Sequence, residues 1–119
     1  MDEKTTEELI VEKGKTAPRV TPAAVEDAIV SEHYFTAENG AFGAALDAGF
    51  DAFECPAELA LLTFCVLVLD NGFTVHGVSA CASPENFDEE IVQKVARQNA
   101  VNQIWPLLGF RLRDQLDQR

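Results

Sequence analysis

Basic residues are scarce in this chain: nine lysines and arginines stand against twenty aspartates and glutamates, for a formal net charge of -11. So anionic a molecule repels a phosphate backbone, which argues against double-stranded nucleic acid as a partner. Histidine (two) and cysteine (three) are scarcer still. Cys55, Cys65 and Cys81 lack C-x-x-C spacing and cannot all pair within one chain, so they read as reduced thiols of a cytoplasmic protein. The longest apolar run, 59–69, has eleven residues, where a membrane-crossing helix needs roughly 20. The start, Met1-Asp2-Glu3-Lys4, has neither the basic nor the apolar character of a signal peptide. The expectation is a cytoplasmic protein without a membrane partner.

Catalytic motifs are equally sparse. His33 and His76 fall in extended segments with no fixed relation to a serine or cysteine, so no nucleophile–base pair is legible. Paired metal-ligand spacings, a G-x-G-x-x-G or Walker loop and H-E-x-x-H are all missing. Glu89-Glu90 and Asp114 with Asp117 suit solvated helix faces better than an acid–base pair. The expectation is a binding protein, not an enzyme, with no metal and no cofactor.

What is present describes an α+β domain. At 119 residues there is room for one core, and self-association would help to complete it. Residues 1–19 mix Glu, Lys and Thr and read as a flexible acidic tail able to form at most a transient helix, leaving 20–119 as the domain. Thr21-Pro22 supplies an N-cap and a first-turn proline for a short N-terminal helix running to about Ser31. Residues 33–36 favour extended structure; 37–58, interrupted by Asn39-Gly40, Gly43 and Gly49, is assigned to a variable loop able to cover a site.

Leu59–Asp70 and Phe73–Cys81 flank Asn71-Gly72 and predict an antiparallel β-hairpin with a type I′ turn. A two-residue turn sets Val68 beside Val75, Val66 beside Gly77, Phe64 beside Ser79 and Leu67 beside His76. The first strand is apolar on both faces, and a subunit interface is a natural source of its second layer. Asn86 with Glu89 resembles a capping pair opening a long helix from Phe87 to about Trp105. Phe87, Ile91, Val92, Val95, Ala96 and Ala100 form its apolar stripe, with Asn99 near the middle needing a backbone, subunit or ligand partner. Pro106 predicts a break after Trp105 and a shorter C-terminal helix, 107–116, with Leu108, Leu112 and Leu116 inward.

The charge is lopsided. Residues 1–58 hold thirteen acids against four Lys/Arg, and residues 59–119 seven against five, so an anionic ligand prefers the second half. Guanidinium groups bind phosphate bidentately and stack on rings. Arg97, Arg111 and Arg113, with Asn86 and the aromatic Phe73 or Phe87, are the candidates for a phosphate-receptive corner.

Several words in the second half carry a resemblance: Asn71-Gly72-Phe73-Thr74-Val75, the run Ser79 to Asp88 (SACASPENFD), Ala96-Arg97-Gln98-Asn99-Ala100, and Ile104-Trp105-Pro106-Leu107. With them the chain resembles the small Gp49-like proteins of tailed phages and prophages. It is also similar to the first-described family of Thoeris anti-defence proteins, sponges that sequester cyclic ADP-ribose isomers. That resemblance implies a homo-oligomer, a dimer or ring of dimers, acting in the infected host cell. It implies a small anionic nucleotide held between subunits without cleavage, with cyclic oligonucleotides at a separate site in some relatives. It assigns base stacking to Phe73, ribose or phosphate hydrogen bonds to Asn86 and the pyrophosphate to Arg113, with Arg97 and Arg111 in reserve. Val101 stands where the resemblance would place a basic residue.

Two other readings compete. The charge suits an acidic DNA mimic that inhibits a host enzyme, and Cys81 or His76 would have to serve a small hydrolase.

Overall fold

Three antiparallel strands, β1 (Ile29–Thr36), β2 (Leu62–Leu69) and β3 (Thr74–Ala80), form one sheet with β2 in the middle. The computed structural model describes residues 5–119. Helices α1 (Thr6–Glu12), α2 (Pro22–Asp27), α3 (Ala37–Asp47), α4 (Glu89–Asn102) and α5 (Ile104–Leu116) complete the α+β fold, with 3-10 turns at Ala57–Leu61 and Pro84–Asn86.

β2 alternates in burial along its whole length. Thr63, Cys65, Leu67 and Leu69 are buried on one face, whereas Leu62, Phe64, Val66 and Val68 are only half-buried on the other. The inner face packs against α4, α5 and α2 through Val25, Ala28, Ala96, Ala100, Ile104 and Leu108. On the outer face Phe35 of β1 stacks on Phe64 with ring centroids 5.5 Å apart. The expectation of a strand apolar on both faces is met, and its second face is incompletely covered within the chain.

The hairpin register differs from the expected one by a single residue. Leu67 pairs with Val75, Val66 with His76, Cys65 with Gly77 and Phe64 with Val78. The cause is the turn. Leu69 N donates to Phe73 O and Gly72 N to Leu69 O, which encloses three residues, Asp70-Asn71-Gly72. A type I′ turn needs positive φ at both Asn71 and Gly72, but only Gly72 has it, at 87°. A three-residue loop ending in a left-handed glycine is the next hairpin solution. A one-residue slip exchanges the faces, so Val75 is buried and Val66 and Val68 look outward.

Helix boundaries shift for local reasons. Thr21 caps α2 as expected, its Oγ1 accepting from Ala24 N at 3.0 Å. α2 nevertheless ends at Asp27 instead of continuing to Ser31, because β1 begins at Ile29, where Ile29 and Ser31 pair with Leu69 and Val68 of β2 and Val30 bulges between them. The cap of α4 is Asp88, which accepts from Ile91 N at 3.1 Å, and Asn86 lies in the preceding 3-10 turn. The break before α5 falls at Gln103, ahead of the expected site, because the Pro106 ring opposes the carbonyl of Asn102 four residues earlier. Pro106 then sits in the first turn of α5, where no backbone donor is required.

The region 37–58 corrects the sequence expectation most. Its first half is the helix α3, opened by a capping box in which Thr36 Oγ1 accepts from Asn39 N and Asn39 Oδ1 from Thr36 N. Alanines at 37, 41, 44 and 45 offset Gly40 and Gly43. Residues 1–19 likewise hold α1, opened by a Thr5–Glu8 capping box and tied back by Arg19 to Glu7, although none of its residues is buried. The part of the expected tail at residues 1–4 lies outside the described residues.

The whole is thin. Its extents are 59 × 43 × 19 Å and its radius of gyration 19.0 Å, against roughly 13–14 Å for a compact chain of this length. One sheet and one helix layer leave apolar surface open on both sides, including Ile91 and Val95 of α4, which were expected in its inner stripe, and Leu116 at the end of α5. Among the described residues no helix is long and apolar enough to cross a membrane.

Candidate functional site

The hairpin turn and α5 meet in a cleft of about 200 Å³ lined by Asp70, Asn71, Phe73, Leu107, Leu108 and Arg111. Two of the five sequence candidates, Phe73 and Arg111, therefore face one space. Asn71 Oδ1 accepts from Phe73 N at 2.9 Å, fixing the backbone that presents the ring. Phe73 is 56% exposed, as a stacking platform has to be.

Arg111 stands at the junction of this cleft with a wider neighbour of about 480 Å³, which also contains Arg19, Asp27, Asp70 and Gln115. Its guanidinium is 3.6 Å from Asp70, and both side chains are largely exposed. So loose and solvated an ion pair contributes little, which leaves the fork available to a phosphate. The apolar wall is Leu107 and Leu108, the latter rooted in the core.

The other three candidates lie elsewhere. Arg97 is engaged on the inner side of the sheet, donating to Glu26 through Nη1 and Nη2 (3.1 and 2.7 Å) and to Glu32 through Nε (2.9 Å). The hydrogen bonds from Arg97 hold both carboxyls below the usual range, and the two carboxylates raise the guanidinium pKa in return. Arg97 is thus a structural clamp joining α4, α2 and β1. Asn86 sits in the turn before α4 and does not line the Phe73 cleft. Arg113, two residues beyond Arg111, is turned about 200° around α5 and lines neither cleft. Val101 is 6% exposed and belongs to the core, where a charged side chain would be buried.

Asn99 found the first of its three expected kinds of partner. It is exposed, not buried in the stripe, and its Nδ2 donates to Val78 O at 2.9 Å, while Gln103 Oε1 accepts from His76 N at 3.3 Å. These two side chains cap part of the free edge of β3.

His33 Nε2 lies 3.0 Å from Ser31 Oγ on an exposed face of β1. Cys81 Sγ donates to the Ser83 carbonyl at 3.1 Å. Burial raises the Cys65 thiol pKa. The described residues contain no group of three or more His, Cys, Asp or Glu placed to hold a metal ion.

Sequence reasoning missed Arg19, Asp70 and Asn71 as lining residues. The last two were discoverable, because the Asn-Gly turn adjoins Phe73; Arg19 carried no local signal, since it reaches the cleft only through the docking of α2.

A family model for the phage protein (N4 Gp49/phage Sf6 gene 66) family matches residues 20–116. The chain belongs to that family. The match begins just ahead of α2 and takes in the sheet, α3, α4 and the whole of α5. No curated protein and no solved structure matches the chain.

Proposed function

We propose that this Gp49-family protein is an anti-defence sponge: it binds and sequesters a small, anionic, nucleotide-derived immune signal without cleaving it. The candidate ligands are cyclic ADP-ribose isomers and, secondarily, cyclic oligonucleotides. The observation that supports this reading is the placement of Phe73 and Arg111 on one cleft, a stacking face beside a weakly held guanidinium. An aromatic ring and a phosphate fork lining one cleft match the two halves of a nucleotide.

The cleft of one chain is small for a cyclic dinucleotide, and Asp27 and Asp70 dilute its positive charge. On this proposal a second copy completes it, bringing Arg113 from its own α5 to the ligand. The half-covered outer face of β2 and the thin shape favour such self-association.

The test is direct. Purified protein is titrated with cyclic ADP-ribose isomers, cyclic oligonucleotides and linear ADP-ribose, then heat-denatured, and the released nucleotide is analysed by chromatography. Tight binding with intact release supports the sponge. Absence of any nucleotide binding refutes it, and release of a hydrolysed product makes the protein an enzyme. Salt-sensitive capture of a basic host enzyme without nucleotide binding would favour the acidic DNA-mimic reading instead.

A further inference from the structure

The opposite end of α4 holds a third cleft with different chemistry. It opens between the end of β1, the start of α3 and the first turns of α4, and has a volume of about 320 Å³. Thr63 lines it and is 3% exposed. Among the described residues its hydroxyl is the one buried side-chain nitrogen or oxygen without a hydrogen-bond partner. Native structures keep few such atoms, and each calls for a ligand, a water or a functional reason.

The charged groups at this cleft are all acidic: Glu38 from α3 and Glu89 from α4, with no lysine, arginine or histidine in the lining. Gln93 Nε2 donates to Glu89 Oε1 at 3.2 Å and steadies that carboxylate. Arg97, one turn further along α4, is already neutralised by Glu26 and Glu32. The positive end of α4 is offset by Asp88, Glu89 and Glu90. Tyr34 and Phe87 supply aromatic walls, and the Tyr34 hydroxyl is turned to Glu32 at 2.9 Å.

We propose that this cleft binds a small organic ammonium or guanidinium ion. Its N–H groups are accepted by the Glu38 and Glu89 carboxylates and, once the Thr63 side chain turns its buried hydroxyl into the cleft, by Thr63 Oγ1, while its alkyl portion and charge rest on the rings of Tyr34 and Phe87. A nucleotide is disfavoured here by the same acids, so the site is independent of the Phe73–Arg111 cleft and does not rest on its function.

The experiment is calorimetric titration of the full chain with 1,4-diaminobutane and with methylguanidine, using 1,4-butanediol as the neutral control. Saturable binding of a cation but not of the diol is expected, weakened by about tenfold in Glu89→Gln and in Thr63→Val. Thr63→Val retains the shape of the side chain and removes an unpaired hydroxyl, so its melting temperature should equal or exceed that of the parent, which separates lost binding from lost folding. The proposal is overturned if neither cation binds saturably, if the diol binds as well as the diamine, or if Thr63→Val binds like the parent.

Discussion

Gly77 of β3 lies directly against Ala96 of α4, so close that a Cβ at position 77 would be driven into the backbone of Ala96, Asn99 and Ala100. Backbone atoms cannot swing aside as a side-chain tip can, so Gly77→Ala forces α4 off the sheet. The expected loss is about 3 kcal/mol, read as a lower denaturation midpoint at unchanged m-value. A variant as stable as the parent would contradict the packing of α4 on β3.

Arg97 makes stability depend on pH. Glu26 and Glu32 have lowered folded-state pKa values, chiefly through hydrogen bonds from Arg97. A lowered carboxyl pKa contributes stability that is present above the unfolded value, near 4.5, and is lost as pH falls through the folded value. Arg97→Gln should therefore cost about 1 kcal/mol at pH 7, a small figure because both carboxylates are well exposed and screened. The gap between variant and parent should close below pH 4.5, as seen in thermal melts across pH 3 to 7. A gap that stays constant over that range would remove the clamp.

Gly72 holds the hairpin turn at a φ of 87° with open space around its Cβ position. Gly72→Ala meets no clash, only backbone strain, and should destabilise by about 1 kcal/mol. Gly40→Ala, at a helical position with equal space, should stabilise by up to about 1 kcal/mol. Opposite signs in one urea-denaturation series check the turn and α3 together.

If a ligand is shared between copies, Arg111 and Arg113 act from different chains. Arg111→Ala and Arg113→Ala should each weaken nucleotide binding by more than about tenfold. Co-refolding the two variants should then restore a fraction of full-affinity sites, measured by titration of the mixture. Failure of the mixture to recover any tight binding would place both arginines, or neither, on the same chain's cleft.

Much of the fold was legible because its signals are local. Asn71-Gly72 between two apolar runs specified a hairpin, Thr21-Pro22 a helix start, and Pro106 a helix break. What escaped depended on one residue more or less, or on distant partners. The turn length turned on whether Asn71 adopts positive φ, which its sequence permits but the three-residue loop here does not use. α3 was hidden because Gly40 and Gly43 argue against a helix more loudly than the Thr36–Asn39 capping box argues for one. For the site, Phe73 and Arg111 were legible as chemistry but their juxtaposition was not, since it follows from how α5 docks. Arg97 looked equally suitable in sequence; its acids, Glu26 and Glu32, come from elements more than sixty residues away.

The helix break at Gln103 divides the labour of the last two helices. α4 is fastened to β3 through Gly77, Asn99 and Gln103, whereas α5 enters the core through Ile104 and Leu108. The two walls of the Phe73–Arg111 cleft thus come from elements that the whole of α4 separates along the chain, so the spacing between ring and guanidinium is set by where the Gln103 corner aims α5.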